Sequence, residues 1–342
     1  MGSFVINDDE YLSVQRSVTK LHFGSIEEKK QSAMAVEKLA RESISAKAMM
    51  VNLGAIPPLV SMMDSSPNLL PAAKALIAIV NHSHTNKDLL LEAGFLHILP
   101  RDTNHMEEQE RKKVSELVLQ LSSFARTRNP ICSDKVLTFV GSVLDSPTAT
   151  VESKIACLLV LRQLSAGVGS RLAIASEGVV RSLLRLVLVK ELSGAAMKIL
   201  GRLMGISHVV KIMEKSASVP ADFVETMKWK AHRSCQESSA HILMMLGERS
   251  RVLRRRMMKI DIVPVLLEVA LFGTPLAHKS AMGMMKWFQE ETGYCNEQET
   301  KRISSSIKFQ RLMKDLVRQS LENNLKSISL RAAAAESSTK SL

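Results

Sequence analysis

One short segment returns along the chain at nearly constant intervals, and no other feature constrains the fold as much. Gly54-Ala55-Ile56-Pro57-Pro58-Leu59-Val60 recurs in altered form at Gly94, Asp134, Gly178 and Asp261, with a degenerate copy at Ser218, so that the starts lie 40, 40, 44, 40 and 43 residues apart. In each clear copy the apolar slots fall on one face of a short helix, and Gly or Asp at the start suits a break between helices. A second element keeps step with the first. It is an amphipathic stretch ending at Lys38-Leu39-Ala40, Asn81-His82-Ser83, Gln120-Leu121-Ser122, Gln163-Leu164-Ser165, Arg202-Leu203-Met204, Met245-Leu246-Gly247 and Lys286-Trp287-Phe288. Two elements in one phase describe a stack of helical units, none of which can bury its apolar stripe without a neighbour.

Composition agrees with helix and removes several alternatives. The 342 residues are 46% hydrophobic and 23% charged, within the globular range. Gly (15) and Pro (10) are few for a turn-rich all-β chain. The longest run without charge, Ala48 to Met63, is 16 residues long and contains Pro57 and Pro58, whereas a membrane-spanning helix needs about 20 apolar residues. Asp8, Asp9 and Glu10 do not suit a signal peptide, and Ile6 stands where a myristoylation signal needs Ser or Thr. The expectation is a cytoplasmic or nuclear protein, monomeric, with no membrane span. Cys132, Cys157, Cys235 and Cys295 include no C-x-x-C pair and read as free thiols.

A helical period near 42 belongs to HEAT or armadillo repeats, and the wording separates them. Gly54 to Val60, followed by long stretches ending Ile79-Val80-Asn81-His82-Ser83, Leu119-Gln120-Leu121-Ser122 and Leu161-Arg162-Gln163-Leu164-Ser165, resembles the armadillo repeat. Asn86-Lys87-Asp88-Leu89-Leu90 looks like that family's short first helix. The resemblance covers residues 25–300, and its flavour is most similar to the armadillo region of plant U-box proteins. It implies an all-α, right-handed solenoid of about six to seven repeats, with residues 1–24 as an N-terminal cap segment. Residues 301–330 form a capping helix in this reading, from the stripe Ile303, Ile307, Leu312, Met313, Leu316, Val317, Leu321, Leu325 and Ile328, and 331–342 form a disordered tail. The residues ahead of the repeats in this sequence are too few for a U-box, so that family's ligase activity is not expected. Nuclear-import receptors place a Trp four residues before each ladder Asn, where this chain has Met34, Ile77, Glu116, Leu159, Lys198, His241 and Met282.

The resemblance places Lys38, Asn81, Gln120, Gln163, Arg202, Met245 and Lys286 along a concave groove, with Lys198 and His241 one turn earlier. The amides among them carry both donor and acceptor for a peptide backbone, and the cations favour an acidic or phosphorylated extended partner. The expected function is therefore a non-catalytic protein-interaction scaffold. The alternative is a substrate-recruiting or accessory part of a ubiquitin-ligase system.

Three other features carry weaker readings. Arg249, Arg251, Arg254, Arg255, Arg256 and Lys259 form the densest basic run: a nuclear signal, an acidic-partner patch, a phosphate-binding strip, or the outer face of a helix that buries Val252, Leu253, Met257, Met258 and Ile260. Lys228-Trp229-Lys230 with His232 and Arg233 hints at a phosphopeptide or at nucleic acid, the latter a partner that 4% aromatic content disfavours despite a net charge of +12. His82-Ser83-His84 has no carboxylate or cysteine at ligand spacing, so no metal is assigned. No Gly-rich phosphate loop, nucleophile elbow or paired-carboxylate motif appears; neither catalysis nor a cofactor is expected. The 19 Met residues read as core filler, with Met62-Met63, Met244-Met245 and Met284-Met285 as alternative partner-facing pairs.

Overall fold

A computed structural model describes residues 8–64, 67–123, 131–260 and 262–293. The capping helix expected over 301–330, the tail over 331–342 and Cys295 lie outside the described residues. The chain divides into two compact units, 1–212 and 213–342. Among the described residues there is no strand, and none of the helices is by itself long and apolar enough to cross a membrane.

The first unit holds α1 (Asp8–Phe23), α2 (Ile26–Glu42), α3 (Ile44–Asn52), α4 (Ile56–Met62), α5 (Leu69–Val80), α6 (His84–Glu92), α7 (Glu108–Ser122), α8 (Asp134–Asp145), α9 (Val151–Leu164), α10 (Val168–Ile174), α11 (Glu177–Leu186) and α12 (Lys190–Leu203). α13 (Ser207–Lys215) runs across the boundary. The second unit continues with α14 (Val219–Met227), α15 (Arg233–Arg249), α16 (Arg251–Lys259), α17 (Val263–Phe272) and α18 (Pro275–Gly293). From α3 onward the order is short, short, long in α3–α5, α10–α12, α13–α15 and α16–α18, the three-helix plan of an armadillo-type α-solenoid.

Long helices pack on long helices. In the first unit α2, α5, α7, α9 and α12 stack in sequence, and in the second α15 packs on α18. The second helix of each repeat covers the same layer from outside: α4 on α5, α8 on α9, α11 on α12, α14 on α15 and α17 on α18. Leu121, Leu164, Leu203 and Leu246 occupy one equivalent position of four long helices, and each is 0% exposed. Burying a leucine completely contributes about 1.5 to 3 kcal/mol, so this position alone is a substantial part of each repeat's cohesion.

Local signals set the boundaries. Ser25 opens α2 with both halves of a capping box: its Oγ accepts from the Glu28 N–H, and the Glu28 carboxylate accepts from the Ser25 N–H. Pro57, Pro220 and Pro264 sit in the first turn of α4, α14 and α17, where the missing N–H costs nothing. Gly54, at φ 76°, makes the left-handed break that the repeat wording implied.

One repeat departs from the expected pattern. The segment beginning at Gly94 forms a single 3-10 turn, Phe95–His97, in place of a short helix. Pro100 cuts the segment short, and the chain then runs irregularly to Glu107. Arg111 of α7 replaces the lost packing. It is 2% exposed, and its guanidinium donates to the Thr103 and Met106 carbonyls at 3.0 Å each and to the Glu108 carboxylate at 2.6 Å. The loop is fixed from α8 as well, where Ser142 Oγ accepts from the Thr103 N–H at 2.9 Å. Glu108 in turn accepts from Ser153 Oγ (2.6 Å), Thr150 Oγ1 (2.5 Å) and the Thr150 N–H (3.2 Å), which ties the start of α7 to the start of α9. Partial burial raises the Glu108 pKa, but the hydrogen bonds from Ser153 and Thr150 and the Arg111 charge outweigh it, and the carboxyl ends below its ordinary value.

The methionine pairs and cysteines are mostly interior. Met62, Met63, Met284 and Met285 are buried, which corrects their reading as partner-facing pairs; Met244 and Met245 are half-buried. Cys157 and Cys235 are buried and free, and Cys132 is half-buried and free. Burial pushes the Cys157 thiol up to about 12, leaving it unreactive near neutral pH.

Two measurements check this packing. Leu164→Ala should cost about 2 to 5 kcal/mol in chemical denaturation, through lost transfer energy and a residual cavity. Glu108→Gln should cost about 1 to 3 kcal/mol at pH 7. Because the folded pKa of Glu108 lies below its unfolded value, its contribution is present above the ordinary carboxylate range and lost as pH falls through the folded pKa. The stability gap between wild type and Glu108→Gln should therefore close in acid.

Candidate functional site

The layer of long helices presents its carboxyl ends in register, and the sequence-predicted ladder lies there. In the first unit Lys38 is exposed on α2, Asn81 is the exposed C-cap of α5, Gln120 and Gln163 are half-buried on α7 and α9, and Lys198 and Arg202 are exposed on α12. In the second unit His241 and Met245 are half-buried on α15, and Lys286 is exposed on α18.

Direct bonds join neighbouring ladder positions in the first unit. Ser122, next but one to Gln120, donates its hydroxyl to Gln163 Oε1 at 2.7 Å. Arg202 donates through Nη1 to the Arg162 carbonyl at 2.8 Å and to Ser165 Oγ at 3.0 Å. Arg202 is therefore engaged at the carboxyl end of α9, where a guanidinium meets both an orphan carbonyl and the negative end of the helix dipole. Gln120 differs from these neighbours. Its Oε1 is buried and has no hydrogen-bond partner, and His241 Nδ1 in the second unit is in the same condition. An unsatisfied buried acceptor costs about 1 to 3 kcal/mol.

Charge along the face is partly neutralised. Lys112 pairs with Glu152 at 3.1 Å, Lys113 with Glu116 at 2.7 Å and Arg41 with Glu37 at 2.8 Å. Lys38 and Lys198 make no salt bridge with any described residue. At the amino ends of α2, α5 and α7 an open cleft of about 480 Å³ has an apolar floor that includes Met34, Leu70 and Pro71, and a rim of Lys30, Lys74, Glu37, Glu107 and Glu110.

A second set of cations at the helix ends was not foreseen. Lys47 of α3 donates to the Asn81 carbonyl at 3.3 Å, and Lys87 of α6 to Ser123 Oγ at 3.2 Å. Arg171 of α10 donates to the Ser165 carbonyl at 2.9 Å, and Arg254 of α16 to the Gly247 carbonyl. Each stands four residues after the N-cap of a repeat's first helix: Ser43, Ser83, Gly167 and Ser250. Each reaches the carboxyl end of a long helix. Lys87 is only 7% exposed, and burial lowers the pKa of both Lys47 and Lys87. The available signal is Ser-x-x-x-Lys/Arg in three of the four copies, with Gly167 in place of Ser in the fourth.

The basic run resolves into two faces. Arg254 and Arg256 turn inward: Arg254 also lies 5.2 Å over the Trp287 ring, and Arg256 donates to the Glu214 and Ser216 carbonyls at 2.6 and 3.3 Å. Arg249, Arg251, Arg255 and Lys259 are exposed. Leu253 and Met257 are buried as expected, but Val252, Met258 and Ile260 are exposed, because a nine-residue helix offers only two positions to the core. The lysines around Trp229 are ion-paired, Lys228 with Glu225 at 2.8 Å and Lys230 with Glu268 at 2.5 Å. His82, at φ 62°, forms the left-handed step after α5, and Ser83 caps α6, so the His82-Ser83-His84 segment serves as a helix junction. Among the described residues no group of three or more His, Cys, Asp or Glu is placed to hold a metal ion.

Comparison with known proteins is informative at the level of fold. No family model and no curated protein matches the chain. Among solved structures, an engineered protein is similar over 80% of this chain and 67% of its own, at 18% identity and a TM-score of 0.63. A second engineered protein is similar over 71% of this chain and 98% of its own, at 18% identity and a TM-score of 0.56. A chain from work on a phosphorylation switch that controls the interaction between cadherin and β-catenin is similar over 80% of this chain and 56% of its own, at 11% identity and a TM-score of 0.64. This chain thus spans little more than half of that neighbour's length.

Within the second unit Gly247 is held by close approach. A Cβ there would meet Trp287 Cζ3 at 2.6 Å and Cε3 at 3.3 Å. Gly247→Ala should displace the ring from Arg254, cost about 1 to 3 kcal/mol and shift the fluorescence of Trp287, which Trp229→Phe isolates as the remaining tryptophan.

Proposed function

We propose that this protein is a non-catalytic scaffold that binds an extended segment of a protein partner along its long-helix face. The observation that carries this reading is the unpartnered Oε1 of Gln120. The half-buried Gln120 side chain gains the hydrogen bond it lacks when it turns outward and its Oε1 accepts a peptide N–H. Asn81 and Gln163 offer further amides on either side, one free in solvent and one already held by Ser122. The work that gave the cadherin–β-catenin neighbour concerned a protein–protein interaction, which is consistent with this use of the fold. Lys38 and Lys198, exposed and without ion pairs among the described residues, favour an acidic or phosphorylated segment. Arg202 contributes less to that preference than its exposure suggests, because its guanidinium is engaged with α9. Action as a monomer in cytoplasm or nucleus is an expectation from the sequence patterning, and recruitment of substrates for ubiquitin transfer is one from the sequence resemblance.

Peptides selected from an unstructured library, measured by fluorescence anisotropy, test the reading. Gln120→Met removes an unsatisfied acceptor, so stability should be unchanged or raised by about 1 kcal/mol, while affinity for extended peptides of any charge should fall about fivefold to tenfold. Lys38→Glu with Lys198→Glu should weaken acidic peptides selectively and flatten their salt dependence. Unaltered binding by Gln120→Met would remove the long-helix face as the binding surface.

A further inference from the structure

We propose that the exposed face of α16 docks an acidic amphipathic helix from a partner protein, at a site separate from the long-helix face. Arg251, Arg255 and Lys259 lie at i, i+4 and i+8, one above the other along the same side of α16. All three are exposed, and none of their side chains forms an ion pair or hydrogen bond with a described residue. The stripe is held at a fixed angle. Leu253 and Met257 are buried beneath it, Arg254 is anchored on the Gly247 carbonyl and the Trp287 ring, and Arg256 on the Glu214 and Ser216 carbonyls. Arg254 and Arg256 thus fix the helix while Arg251, Arg255 and Lys259 face solvent.

The flanks of the stripe indicate what it fits. Val252 (48% exposed) and Met258 (39% exposed) border the cations on opposite sides. A nucleic-acid backbone would meet the charges but offer no apolar surface to cover those side chains. An anionic membrane would cover them, but membrane-surface helices carry bulky Trp, Phe or Leu on the buried face, and this face has none. A helix with Asp or Glu at i, i+4 and i+8 matches the cations step for step, since both helices rise about 6 Å per four residues. Apolar residues such as Leu beside its acids would then cover Val252 and Met258.

The test uses the full chain and two synthetic peptides of identical composition. One places Glu at i, i+4 and i+8 with Leu alongside, and the other has the same residues shuffled out of helical register. Anisotropy should show the in-register helix binding at least about tenfold more tightly than the shuffled one. That affinity should fall at least about tenfold in Arg251→Glu/Arg255→Glu/Lys259→Glu and decline between about 0.05 and 0.2 M salt. Val252→Ser/Met258→Ser, which keeps every charge, should weaken the helix several-fold, and circular dichroism melts should show both variants folded. Equal binding of the two peptides, an undiminished affinity in the triple variant, or no measurable binding of the in-register helix would each overturn the proposal. So would tighter binding of duplex DNA or phosphatidylserine vesicles through the same three residues.

Discussion

The packing of one long helix on the next is the contact on which the other features depend. α2, α5, α7, α9 and α12 each bury one apolar stripe only because the adjacent repeat supplies the other half of the interior, and α15 stands in the same relation to α18. Leu121, Leu164, Leu203 and Leu246 mark that dependence, with one fully buried leucine at the same point of each of four helices. Close stacking also brings the carboxyl ends of neighbouring helices together. Exposed carbonyls and the negative ends of several helix dipoles accumulate along one edge, and cationic side chains collect there in answer.

That accumulation explains why positive charge on this protein is a poor guide to ligand preference until the partners are known. Lys47, Lys87, Arg171 and Arg254 each serve the end of a long helix, and Arg202 links α12 to the end of α9. Lys112, Lys113, Lys228 and Lys230 are paired with glutamates. Lys38 and Lys198 in the first unit, and Arg251, Arg255 and Lys259 on α16 in the second, are exposed and form no ion pair with a described residue.

Irregularity in the third repeat is absorbed by a single buried cation. Where Phe95–His97 gives only one turn of 3-10 helix, Arg111 enters the gap and satisfies two loop carbonyls, and Glu108 neutralises it while holding Thr150 and Ser153 of the next long helix. A buried charge is tolerable when it is paired and hydrogen-bonded in this way, even though Nε of the same guanidinium is left without a partner. The arrangement keeps the stack continuous where the repeat wording is weakest.

The sequence alone determined the helical class, the repeat period and the phase of the ladder, because a stripe that must be buried once per repeat leaves its spacing in the residue order. It also fixed the local boundaries, as the Ser25–Glu28 capping box and the prolines opening α4, α14 and α17 illustrate. It did not decide which side chains were free. Gln120 and Gln163 look alike in the sequence, yet Gln163 is held by Ser122 and Gln120 is left open, since the difference lies in which residue of the adjacent repeat is close enough to bond. Arg254 and Arg255 are neighbours in a uniform basic run, yet one rests on Trp287 and the other faces solvent, because a helix turns 100° per residue and the core lies on one side only. Partnership between residues about forty positions apart is a property of the stack, and only the tertiary structure could assign it.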